Sequence, residues 1–231
     1  MKKIWQKEWF GIKFSEFTEL DSNKIASPEF YEKFYNVFYE RYSSYEDLPL
    51  SYKKSKIETA KDILKLSETY DRILSIGAGN GIIEYYILQN SNKKITALEP
   101  SDNSRWLKNI DDIDFISGFF PDAVMDKEKF SFGYCSNIDY VFNDEEYRQF
   151  LKSIYQYGFE EFYLVEIVSP TNSFKYYLKE LLSYVGLYQK GQLWGYLREI
   201  KEHINIAKSV GFSEIKHGKH QNGHSWIQLK R

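Results

Sequence analysis

The chain has 231 residues, enough for one sizeable core, and its 31 basic and 33 acidic side chains leave a net charge of −2, which gives a polyanion no global attraction. No apolar run approaches the roughly 18 residues of a membrane span, and the Lys2-Lys3-Ile4-Trp5 start lacks a signal peptide's apolar centre. One cysteine, Cys135, excludes an internal disulfide. The expectation is a cytoplasmic protein that binds neither nucleic acid nor membrane, in an oligomeric state the composition leaves open.

Ser27 and Pro28 open the first helix as cap and first-turn residue. Phe30, Tyr31, Phe34, Tyr35, Phe38, Tyr39 and Tyr42 follow at spacings of three and four, so two adjacent aromatic stripes run along it. They read either as a packing face with hydroxyls turned to water or as a lid over a ligand. A second helix, Tyr52 to Leu66, carries Lys53, Lys54, Lys56 and Lys61 on what reads as a solvated face.

Ile73 to Ile76 has the branched, apolar character of a strand buried on both faces, and it runs into Gly77-Ala78-Gly79-Asn80-Gly81. Glycines at alternate positions let the backbone turn sharply and approach a ligand closely. Asn80 is placed to cap the next helix, through Ile82, Ile83, Tyr86 and Ile87. The following strand, Ile95 to Leu98, ends on Glu99. In a nucleotide-binding βαβ unit an acid about 20 residues beyond the glycines accepts hydrogen bonds from ribose hydroxyls.

The third glycine comes one place too early for the nicotinamide and flavin fingerprint. With Gly-x-Gly-x-Gly after a strand, and Glu99 closing the next, residues 55 to 231 resemble the class I S-adenosylmethionine-dependent methyltransferases, small-molecule type. The resemblance implies a Rossmann-like α/β fold: a seven-stranded, mostly parallel sheet with an antiparallel C-terminal strand, behind an N-terminal helical lid at residues 1–54. It implies S-adenosylmethionine as cofactor, S-adenosylhomocysteine as product, and Gly77, Ala78, Gly79, Gly81, Glu99 and Pro100 as its contacts. The family carries an acid two residues before the first glycine, toward the methionine part; this chain has Ser75. From the lid, Arg41 and Tyr42 are the expected contacts to the cofactor's carboxylate.

Beyond this unit, strands and helices keep alternating as a doubly wound sheet requires. Asp114 to Ser117 reads as the third strand, leading to Gly118-Phe119, where the resemblance implies the adenine. The fourth, Phe130 to Cys135, ends in Ser136-Asn137-Ile138-Asp139-Tyr140, at the carboxyl edge where such sheets bind ligands. Family resemblance puts Ser136 and Asn137 near the sulfonium, with Asp139 and Tyr140 facing the acceptor as catalytic candidates. No Asn/Asp-Pro-Pro-Tyr/Phe motif follows this strand, which argues against nucleobase and glutamine N-methylation. Asn143 with Glu146 forms a capping box for the next helix, and Phe162 to Val168 is a fifth buried strand.

Residues 171 to 196 read as an insertion, a helix followed by a glycine-punctuated loop, which in the resembled fold caps the acceptor pocket. Trp194, Tyr196 and Arg198 are the acceptor contacts it offers, Arg198 suiting an anion. A last helix, Leu197 to Val210, closes at Gly211. Phe212 to Lys216 and Ser225 to Leu229 then form a hairpin around Asn222-Gly223. His217, His220 and His224 cluster near it without a convincing zinc arrangement, so no metal is expected. His220 is a candidate base.

The reaction these features suggest is methyl transfer to a small polar acceptor, oxygen preferred, with a sugar or phosphorylated metabolite as its class. Aminopropyl transfer, and a non-catalytic methyltransferase-like subunit, stay open beside it.

Overall fold

The computed structural model describes residues 2–100, 104–125, 129–170 and 173–231. Its frame is a seven-stranded sheet in the order β6-β5-β4-β7-β8-β11-β10. The strands are β4 (Arg72–Ile76), β5 (Lys94–Glu99), β6 (Ile113–Ser117), β7 (Phe132–Ser136), β8 (Glu161–Ile167), β10 (Glu214–Lys219) and β11 (Ser225–Lys230). The first five run parallel, and β11 enters antiparallel between β8 and β10. The sheet expected from the sequence is therefore the sheet observed, and strand ends differ by one to three residues.

Alternation along each strand divides the core. Ile73, Ile95, Phe132, Tyr134, Tyr163 and Val165 face a layer built by α1 (Pro28–Arg41), α2 (Leu50–Leu66) and α3 (Ile82–Asn90). Leu74, Ile76, Leu98, Cys135, Phe162 and Leu164 face α4 (Asp144–Tyr157) and α6 (Ile200–Val210). Helix ends follow their sequence signals. Ser27 Oγ accepts the Phe30 N–H at α1, and Asn143 and Glu146 complete the capping box of α4. Gly211 closes α6, which starts at Ile200, three residues later than the periodicity suggested.

Two parts depart from the sequence reading. The N-terminal segment is not helical throughout: β1 (Lys2–Gln6) pairs antiparallel with β9 (Gln192–Leu197), and β2 (Glu8–Trp9) with β3 (Ile12–Lys13) in a small hairpin. The end of the supposed insertion is thus anchored. After α5 (Ser173–Tyr184), β9 forms a second sheet with the chain's own beginning. A Cβ at Gly195 of β9 would stand 2.5 Å from the Tyr140 carbonyl oxygen, so glycine is what lets this strand lie against the loop after β7. Residues 171 and 172 lie outside the described part.

The aromatic stripes of α1 divide their work. Phe30, Phe34 and Phe38 are buried against Trp9, Phe10 and Phe14, with Trp9 stacked on Phe34 at 5.0 Å. Trp194 stacks on Phe14 at 5.2 Å and lies parallel to Tyr140 at 6.2 Å. The other stripe, Tyr31 and Tyr35, lines a cavity.

Candidate active site

At the carboxyl edge of β4, β5, β6 and β7 lies a cavity of about 560 Å³, where an open α/β sheet is expected to bind its ligand. Its floor is the glycine loop. Gly77 and Gly81 hold φ of +73° and +78°, a conformation that favours glycine. A Cβ on Gly77 would meet Ile138 Cγ2 at 2.8 Å, and one on Gly81 would run into Leu107. Asn80 Oδ1 accepts the Ile82 N–H at 3.3 Å and so starts α3. Glu99, buried at the tip of β5, accepts the Gly79 N–H at 3.0 Å. Glycine loop and acid are thereby joined into one rim, as the spacing suggested.

Gly77, Ala78, Gly79, Glu99, Pro100, Gly118, Phe119, Ser136, Asn137 and Tyr140 all line this cavity. Gly81 sits just behind it as the N-cap of α3. Asn137 holds φ +55°, which turns the chain sharply at the β7 end. The Tyr140 and Tyr31 hydroxyls lie 3.4 Å apart, and burial pushes Tyr140 up to about 12, so its hydroxyl keeps its proton near neutrality.

Other expected residues sit elsewhere. Arg41 is exposed and, like Tyr42, donates to the Phe10 carbonyl at 3.2 Å; both tie α1 to the β2–β3 hairpin and neither lines the cavity. Arg198 is fully buried: its guanidinium donates to an Asp144 carboxylate oxygen at 2.8 Å and to the carbonyls of Asp139 (3.0 Å) and Phe142 (2.6 Å). It therefore clamps the loop between β7 and α4 and is not presented to an acceptor. Trp194 belongs to the aromatic core, and Tyr196 lies on β9 and is not among the residues that line the cavity. Asp139 is buried 3.6 Å from His203 Nε2; burial raises its carboxyl to about 6, with Arg198 opposing. Burial and Arg198 pull His203 down to about 4. His220 is bonded to Asp62 at 2.6 Å, between the terminal hairpin and α2. Neither Asp139 nor His220 reaches the cavity, so of the three catalytic candidates Tyr140 alone stands on it.

Two cavity-lining groups, Lys56 and Glu84, and the acid paired with the first, Glu166, escaped the sequence reading. Lys56, expected on a solvated face, is half-buried and ion-paired with the buried Glu166. Glu166, at φ +59°, also accepts from Ser136 Oγ at 2.6 Å and Thr59 Oγ1 at 2.9 Å. Burial works against the charge on Glu166, but Lys56 and these hydroxyls outweigh it and hold the carboxyl below its ordinary range. Glu84, on α3, is buried and bonded to Ser75 and Tyr134. A helical acid among Ile82, Ile83 and Ile87 was the only available signal.

Among the described residues, no cluster of three or more histidine, cysteine and carboxylate side chains is arranged to hold a metal ion, and no helix is long and apolar enough to cross a membrane.

Neither a family model nor a curated protein matches the chain. Solved structures do. Human N-acetylserotonin methyltransferase, crystallised with S-adenosylmethionine, superposes with a TM-score of 0.59 at 16% identity over 95% of this chain and 62% of its own. The mitomycin 7-O-methyltransferase MmcR gives 0.63 at 15% identity, over 96% and 61%. The Synechocystis PCC 6803 magnesium protoporphyrin IX methyltransferase, with bound S-adenosylhomocysteine, gives 0.57 at 11% identity, over 87% and 97%. The chain thus spans about three fifths of the first two. At these identities the likeness establishes the fold, and that fold is the class I methyltransferase fold.

Proposed function

We propose that this chain is an S-adenosylmethionine-dependent methyltransferase acting on the oxygen of a small acceptor. The observation that carries the reading is the rim itself: a glycine cradle that a Cβ would block, tied to the buried Glu99 at the tip of the neighbouring strand, on a cavity at the carboxyl edge. The residues present fit the cofactor. Glu99 offers a carboxylate oxygen to ribose hydroxyls, Gly77 and Gly79 allow close backbone approach, and Gly118 and Phe119 offer an edge and a ring for the base. When bound, S-adenosylmethionine supplies a methyl group already activated by a positively charged sulfur.

What the chain contributes is alignment and exclusion of water. Tyr31 and Tyr35 of α1 close one side of the cavity, and Ser136, Asn137 and Tyr140 close the β7 side. The Tyr140 hydroxyl, protonated near neutrality, is a donor that orients an acceptor oxygen and not a base that deprotonates it.

The cavity also speaks to the acceptor. Trp9, Tyr31, Tyr140, Phe142 and Phe150 are among its walls, and Lys56, the one basic residue among the described lining, is committed to Glu166. Three carboxylates, Glu84, Glu99 and Glu146, line it as well. With Arg198 engaged elsewhere, this lining favours a flat, largely apolar molecule bearing a hydroxyl over the sugar or phosphorylated acceptor expected from the sequence. Aminopropyl transfer would call for acids at the end of β7 to hold a polyamine; the acid there, Asp139, lies outside the cavity, and that reading is not retained. The balanced charge and the single cysteine fit a cytoplasmic setting. The test is transfer of labelled methyl from S-adenosylmethionine to a panel of phenols, sugars and sugar phosphates. Labelled phenol ethers support the reading; product from sugar phosphates alone overturns the acceptor class, and no product from any member favours a non-catalytic subunit.

A further inference from the structure

Glu84 is 1% exposed on the first turn of α3 and lines the cavity directly behind the glycine loop. One of its oxygens is accounted for: Oε1 accepts from Ser75 Oγ at 2.5 Å and from Tyr134 Oη at 2.6 Å, which locks the carboxylate across β4 and β7. The other, Oε2, is buried and has no hydrogen-bond partner among the described residues. A structural brace accounts for Oε1 but leaves Oε2 unexplained, and an unpaired buried carboxylate oxygen is costly to keep. Burial raises the Glu84 carboxyl, and Ser75, Tyr134 and the charge of Lys56 offset this only in part. The site is short of one cationic donor. The Lys56 ammonium does not fill the role, because it is paired with Glu166.

We propose that Glu84 receives the α-ammonium of the cofactor's amino-acid part through Oε2. This deepens the S-adenosylmethionine reading above and rests on it. Ser75, which offers no charge of its own, then serves by fixing Glu84, so the strand residue and the helix residue together supply a carboxylate. Tyr134 is its second positioning residue.

The test is calorimetric binding of two ligands to the full chain: S-adenosylhomocysteine, and its deaminated analogue with hydrogen in place of the amino group. A charged hydrogen bond of this kind predicts that the wild type prefers the amine-bearing ligand by about thirtyfold. Glu84→Gln should bring the two affinities within about threefold by weakening only the amine-bearing ligand, since the deaminated one never engages Oε2. Glu84→Asp keeps the charge but withdraws it by one methylene; it gives an intermediate ratio and is the informative variant if the glutamine form does not fold. A ratio unchanged in both variants overturns the proposal, as does an equal loss for both ligands, which would mark Glu84 as a brace only. If neither ligand binds the wild type, the cofactor reading itself fails, a result distinct from either of these.

Discussion

Replacing Arg198 by Met separates two roles that the sequence alone could not tell apart. The side chain is fully buried, and its removal leaves the carbonyls of Asp139 and Phe142 without their donors. A buried acceptor deprived of a charged donor costs about 2 kcal/mol, so the two carbonyls cost about 4 kcal/mol together. Asp144, more than half exposed, adds well under about 1 kcal/mol because water already screens it. For a domain of this size about 4 kcal/mol corresponds to a fall in Tm of roughly 8–16 °C. Arg198→Lys keeps the charge but not the fork that reaches both carbonyls, and should lose about half as much. The assay is thermal unfolding followed by near-ultraviolet circular dichroism, with urea unfolding for ΔG. An Arg198→Met protein that unfolds within about 2 °C of the wild type would refute the clamp and return the residue to the acceptor site.

Lys56→Met strands Glu166 as a buried charge and should cost about 3–5 kcal/mol in urea unfolding. Lys56→Met/Glu166→Gln should recover most of that, and a single variant within about 1 kcal/mol of the wild type contradicts the pairing. Glu99→Ala should weaken S-adenosylhomocysteine by about tenfold or more in calorimetry, and unchanged affinity removes the ribose assignment. For pH, the Asp139 carboxyl is raised to about 6 in the folded chain. Its contribution is therefore fully present below its unfolded value near 4 and is lost as pH rises through 6, a change of about 3 kcal/mol. His203, lowered to about 4, acts oppositely as pH falls below its unfolded value of about 6.5. The difference curve between Asp139→Asn and the wild type isolates the first effect, and a flat curve between pH 4 and 7 disproves it.

The rim of the site was legible because it is local. The glycines at 77, 79 and 81, the Asn80 that accepts the Ile82 N–H ahead of α3, and the acid closing β5 stand within one βαβ unit, where spacing fixes geometry. The capping box of α4 and the terminal hairpin are local in the same way. What stayed hidden depends on partners far along the chain. Gln192–Leu197 reads as loop until Lys2–Gln6 pairs with it, and two-residue strands such as Glu8–Trp9 carry no period to detect. Arg198 and Lys56 looked like available charges because burial of a long cation is set by carbonyls and carboxylates more than fifty residues away. Glu84 was missed for a related reason: helical phase places it toward the sheet, but only Tyr134, fifty residues on, shows why an acid is tolerated there.

The proposed function requires the cavity at the carboxyl edge of the sheet to take a sulfur nucleoside. Its most direct test is calorimetric titration of the full chain with S-adenosylmethionine, S-adenosylhomocysteine and NAD. Both sulfur compounds should bind saturably at one site, more weakly in Glu99→Ala, and NAD should not bind. Binding of NAD with no heat from either sulfur compound would contradict the proposed function.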